Sequence, residues 1–208
     1  MDKPLAISLP SRSIQEMISP RLNSPVIDFT PIGSKLFPLF IIAVTFSYSS
    51  YGQEFKALDK SPLDMIEYPA QRGKDKVMRV IYSRPQLRGR EFNKIVSNGK
   101  LWRTGANEST EITFFKDVKI DSKVVPRGRY TLYTIPDETT WTIIINKKLN
   151  TWGAYAYDSS QDLLRVKVPV EYSDENLEAF SITIKGKGSI AFLHMGWGDL
   201  RVKLPMSF

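Results

Sequence analysis

From about Ser61 onward, apolar and polar residues alternate with a period of two, which is the signature of half-buried strands. The clearest run is Leu163 to Val170, where Leu164, Val166, Val168 and Val170 alternate with Arg165, Lys167 and Pro169. Pro169 has no backbone N–H to give a ladder, which predicts that the strand ends at a sheet edge. Phe180, Ile182 and Ile184 repeat the pattern up to the turn Gly186-Lys187-Gly188. Ile190, Phe192 and His194 follow, and this register directs His194 toward the core or its rim. Around Trp141, Ile143 and Ile145 the intervening Ile144 is also apolar, so this strand is read as buried on both faces.

Further strands are predicted at Val77 to Tyr82, Glu111 to Phe115, Val118 to Val125, Arg129 to Ile135 and Leu200 to Leu204. Pro126-Arg127-Gly128 and Pro136-Asp137-Glu138 supply turn chemistry between them. No segment sustains a 3.6-residue period, and only Glu91 to Val96 reads as a short helical turn. About ten short strands at this spacing predict an all-β fold with little helix: a single antiparallel β-sandwich or barrel-like domain over residues 53–208.

The N-terminal quarter follows a different logic. Lys35 precedes the apolar run Leu36 to Phe46, and small residues surround Ser50-Tyr51-Gly52. This is the order of a secretory signal peptide, assigned to residues 35–52 with cleavage after Gly52. The run is shorter than the roughly 20 residues of a membrane-spanning helix, so no stable transmembrane span is expected after cleavage. The alternatives are a membrane anchor or a buried strand. Residues 1–34 carry several prolines and no periodicity, and are expected to be a disordered or spurious extension. The chain is therefore expected to be exported, to the periplasm or beyond.

Composition narrows the chemistry. The 208 residues contain no cysteine, which removes disulfides, thiolate nucleophiles and cysteine-ligated metals. With one histidine as well, no transition-metal site is expected. The net charge of +7 raises the question of nucleic acid, but Lys and Arg are interleaved with Asp and Glu along the chain, and no basic stripe forms. No nucleic-acid partner and no cofactor are expected. No Gly-x-Ser-x-Gly frames a serine for His194, so a hydrolytic triad is disfavoured.

The densest polar cluster lies between Tyr82 and Thr110. It includes Arg84, Trp102, Arg103, Asn107 and Glu108. A second patch contains Trp152 and Tyr155, with Asp162 and Arg165 after it. Arginine forks match carboxylates and phosphates, amides and carboxylates hold sugar hydroxyls, and tryptophan offers a face for stacking. Arg84, Trp102, Arg103, Asn107, Glu108, Trp152, Asp162 and Arg165 are thus the candidate ligand-binding residues, for a glycan or another anionic envelope component. Three readings stay open: a binding module, a hydrolase working through carboxylates such as Glu108 and Asp162, and a purely structural network. Ion-pair networks commonly occupy such positions, and Trp152 with Tyr155 fits a cap on the core as well as a platform.

The strings Ser61-Pro62-Leu63-Asp64-Met65, Tyr82-Ser83-Arg84-Pro85, Trp102-Arg103-Thr104-Gly105-Ala106-Asn107-Glu108, Trp152-Gly153 and Asp162-Leu163-Leu164-Arg165-Val166 resemble the family of exported bacterial proteins, largely from Bacteroidetes, termed domain of unknown function DUF2911. The resemblance spans about residues 59–206. It implies an envelope or secreted protein and gives no activity. It also implies that the glycosylation sequon Asn107-Glu108-Ser109 is without meaning. The family pattern includes Arg84, Arg103, Asn107, Glu108, Asp162 and Arg165. One departure is Phe92-Asn93, where the family tends to have Phe-Gly, so the backbone is expected to differ there.

Overall fold

A computed structural model describes residues 53–208, and Glu54 to Phe208 form one compact unit. The predicted signal peptide and the segment before it lie outside the described residues.

The domain is antiparallel β throughout, with one α-helical turn and one 3-10 turn, at Ser159–Gln161, among the described residues. In chain order the strands are β1 (Leu63–Tyr68), β2 (Met78–Ser83), β3 (Glu111–Phe114), β4 (Val118–Ile120), β5 (Lys123–Val125), β6 (Gly128–Ile135), β7 (Thr140–Asn146), β8 (Asp162–Lys187) and β9 (Ile190–Ser207). The turn α1 (Phe92–Ile95) lies within the stretch predicted from Glu91 to Val96, and the Phe92-Asn93 pair opens it. All nine strands belong to one sheet in the order β1-β2-β3-β6-β7-β8-β9-β4-β5. The order is open at both ends, so the barrel alternative gives way to a sheet that folds over on itself. Strand β2 is separated from β8 by three strands, yet the Ile182 backbone N–H donates to Tyr82 Oη at 2.9 Å.

Strand β8 makes this closure. Its first part pairs with β7, ending at Thr140 opposite Pro169, and its remainder pairs with β9 from Val170 onward. The edge expected at Pro169 is therefore a change of partner in mid-strand. A residue without an N–H fits there because it is the last one paired with β7. The two stretches read as separate strands, Leu163 to Val170 and Phe180 to Ile184, are one 26-residue strand with irregular pairing between Tyr172 and Ser181. By contrast, Val118 to Val125 divides into β4 and β5 around Asp121, which has φ 54°. Strand β1 was not foreseen, since its residues are mostly half-buried or exposed.

The core lies between the folded-over faces. Trp102 stacks on Trp197 with ring centroids 5.8 Å apart, Phe92 stacks on Trp141 at 5.5 Å, and Phe180 meets Trp102 edge-on at 5.0 Å. Ile143, Ile144 and Ile145 are all fully buried, matching the pattern read for that strand. In β9 the buried set is Ala191, Leu193 and Met195, so His194 stands on the opposite face, half-buried beside Phe192. Both alternating sets there contain apolar residues, and period alone does not say which set turns inward. Partial burial, with Lys185 and Lys203 nearby, holds the His194 imidazole below its ordinary pKa; Glu171 opposes them.

Candidate functional site

The segment Trp102 to Thr110 is a loop laced onto the domain from both sides. The Trp102 N–H donates to the Thr134 carbonyl at 2.7 Å, and the Thr134 N–H returns to the Trp102 carbonyl at 2.9 Å. Two residues of the loop take left-handed backbone, Thr104 at φ 58° and Asn107 at φ 58°. That conformation is unusual for a β-branched residue. Thr104 is held there: its carbonyl accepts from Thr110 Oγ1 at 2.6 Å, and its hydroxyl donates to Thr134 Oγ1 at 3.2 Å.

A second loop faces the first. The Ser109 N–H donates to the Thr151 carbonyl at 2.9 Å, and the Gly153 N–H donates to the Asn107 carbonyl at 3.0 Å. Between these bonds Glu108 and Trp152 form an antiparallel bridge. Residues opposite one another in such a pair project from the same face. The Glu108 carboxylate and the Trp152 indole therefore rise side by side. Beneath them the hydroxyls of Ser109, Thr151 and Tyr133 form a buried network, with Thr151 Oγ1 2.9 Å from each of the other two oxygens. Ser109 also donates to the Gly153 carbonyl.

This bridge borders a groove of about 790 Å³, walled by Lys56, Asp59, Asn107, Glu108, Asn150 and Trp152. The segment before β1 supplies the far wall. The Asp59 carboxyl lies below its ordinary range because the Ser61 backbone N–H, and then the Asn107 side chain, donate to it. At the rim Trp152 stacks on Tyr155, centroids 5.8 Å apart and planes 10° apart. The two are 57 % and 83 % exposed, which is the geometry of a platform and not of a cap. The Arg103 guanidinium carbon stands 5.6 Å from the Trp152 ring.

The remaining candidates are placed elsewhere. Trp102 is 8 % exposed, and its indole N–H donates to the Gly105 carbonyl at 3.0 Å. Arg84 joins the folded-over faces: Nε donates to the Phe180 carbonyl, Nη2 to Ser181 Oγ at 2.8 Å, and Nη1 to Asp64 Oδ2 at 3.3 Å. Asp162 uses both carboxylate oxygens, accepting from Asn146 Nδ2 at 2.7 Å on one and from Tyr157 Oη at 2.6 Å and Arg165 Nε at 2.7 Å on the other. Burial first, then the Asp162 carboxylate, raises the Tyr157 pKa. The structure thus brings Asn107, Glu108 and Trp152 together at the groove, with Arg103 behind the platform. Arg84 and the Asp162–Arg165 pair serve as ties. Sequence reasoning missed Lys56 and Asp59, which precede the first strand and belong to no motif. Asn150 opened the second patch without being counted as a binding residue; it lines the groove from a left-handed turn, φ 56°, and its side chain accepts from Arg129 Nη2 at 3.1 Å.

Fold and site together define an antiparallel β domain with a groove of mixed polar and apolar lining open to solvent and a stacked aromatic pair on its rim. The chain belongs to the family described as protein of unknown function, DUF2911, which it matches over residues 61–206. No curated protein and no solved structure matches it. Among the described residues, no helix is long and apolar enough to cross a membrane.

Proposed function

We propose that this domain is an envelope binding module that grips a glycan, or another hydroxyl-rich envelope component, in the groove beside Glu108 and Trp152. The observation that carries the reading is the exposed Trp152–Tyr155 stack beside carboxylate and amide side chains. A saccharide ring lays its C–H face on an aromatic ring while its hydroxyls bond to carboxylates and amides. The charge of the groove favours a neutral or cationic saccharide over an anionic one, since Asp59, Glu108 and Glu111 line it against the single cation Lys56. Arg84 and Arg165, which suggested an anionic ligand, already hold carboxylates. Placement at the envelope rests on the secretory-signal pattern of residues 35–52.

The hydrolase alternative loses support because both oxygens of Asp162 are occupied by Asn146, Tyr157 and Arg165. Titration calorimetry against cell-wall fragments and neutral oligosaccharides tests the binding reading. The expected result is saturable binding that Trp152→Ala weakens about tenfold. Failure of every saccharide to bind at millimolar concentration would remove it.

A further inference from the structure

A second hollow lies behind the aromatic platform. It encloses about 400 Å³ and is walled by Ile95, Val96, Leu101, Ala106 and Trp197, with Arg103 as the one charged residue in its lining. The guanidinium has no carboxylate partner among the described residues. Its Nε–H is shut away from water with no acceptor. The group is also held in place from behind: it stands over the Trp152 ring, and Gly153 packs so closely that a Cβ there would lie 3.2 Å from Arg103 Nη1.

We infer that this hollow is a binding site for a small monocarboxylic acid with an apolar body, its carboxylate on Arg103 and its body among Ile95, Val96, Leu101 and Trp197. With Nε buried, the planar fork offers its two terminal nitrogens, Nη1 and Nη2, which match a carboxylate with two parallel N–H donations. The apolar side chains accept an aryl or alkyl group, and a single arginine neutralises one negative charge, which favours a monocarboxylate over a phosphate dianion. The size suits a ligand at the small end of the range for such pockets. The hollow is distinct from the groove of Glu108, so failure of the saccharide screen leaves this inference standing.

The test is calorimetric titration of the domain with phenylacetate and octanoate, with phenylacetamide as the uncharged counterpart of the first. Saturable binding of at least one acid is expected, with phenylacetate about tenfold or more tighter than its amide. Arg103→Gln should abolish that preference at an unchanged melting temperature. Ala154→Leu, which fills the lining while keeping the arginine, should weaken both ligands alike. Including N-acetylphenylalanine separates the two sources of such a group: tighter binding than phenylacetate assigns a peptide C-terminus, and weaker binding assigns a free acid. No saturable binding of any acid up to about 10 mM, equal affinity for acid and amide, or a preference that survives Arg103→Gln would each overturn the inference.

Discussion

Arg84 and Arg103 occupy similar settings in the sequence and opposite ones in the fold. Arg84 spends its guanidinium on the seam where the sheet closes on itself, with the Phe180 carbonyl, Ser181 and Asp64 as acceptors. Arg103 makes no side-chain ion pair among the described residues and presents its charge to a hollow. The same division runs through the family strings. Trp102, Arg84 and the Asp162–Arg165 pair hold strands together, while Arg103, Asn107, Glu108 and Trp152 stand on the two loops that face solvent. A shared motif thus mixes residues that tie strands together with residues whose side chains line the groove or the hollow, and only partner atoms tell them apart.

The largest test of this division is Trp102→Ala, which removes the ring packed against Trp197 and Phe180. It should cost about 3–5 kcal/mol of unfolding free energy, measured by urea denaturation. Asp162→Ala comes next, because it removes a charged acceptor shared by three groups: the Asn146 amide, which keeps the Asp158 carbonyl, and the Tyr157 hydroxyl and Arg165 guanidinium, which keep each other. A loss of about 1.5–3 kcal/mol is expected, and a loss near zero would return Asp162 to the list of binding residues. Gly153→Ala should cost about 1–2 kcal/mol for its left-handed backbone alone. Its new Cβ would also meet the Tyr155 ring at 2.7 Å, so the exposed stack should be displaced as well.

On the open side, Glu108→Gln should change stability by no more than about 0.5 kcal/mol, while weakening any saccharide held in the groove. A severe loss of stability would move Glu108 to the structural class. The smallest effect concerns pH. His194 in the fold titrates below its ordinary 6.5, so as pH falls through about 6.5 the unfolded chain takes up a proton before the folded one does. Stability should be fullest above that pH and decline modestly on acidification until the folded imidazole is itself protonated. His194→Gln should flatten this slope in urea titrations at pH 7.5 and 5.5.

Much of the fold was legible because alternation is a local signal. The buried set of β7, the turn at Gly186 to Gly188 and the helical turn at Phe92 all follow from neighbouring residues. Three features were not local. Pro169 reads as a stop from its own chemistry, and only the change of partner from β7 to β9 explains why the strand continues. His194 sits among two apolar sets, and which set turns inward is decided by strands far away in sequence. Strand β1 lacks a clear alternation because it lies at the edge, half covered. The candidate site was legible as a list of residue types. Its division was not, because it depends on the bridge between Glu108 and Trp152 and on acceptors such as the Phe180 carbonyl, 96 residues from Arg84.

Strand β8 carries a consequence for how the chain can be cut. Because it completes the ladder of β7 and also begins that of β9, neither side of the fold owns it. The contact between Tyr82 and Ile182 spans 100 residues, so the entropy of closing that loop is recovered only once the C-terminal hairpin has formed. A fragment ending before Asp162 would leave β7 as a bare edge and uncover Tyr82. It is therefore not a smaller domain but an unfinished one, prone to pair with another chain. Among the described residues, the segment before β1 stands clear of this closure, though it supplies a wall of the groove.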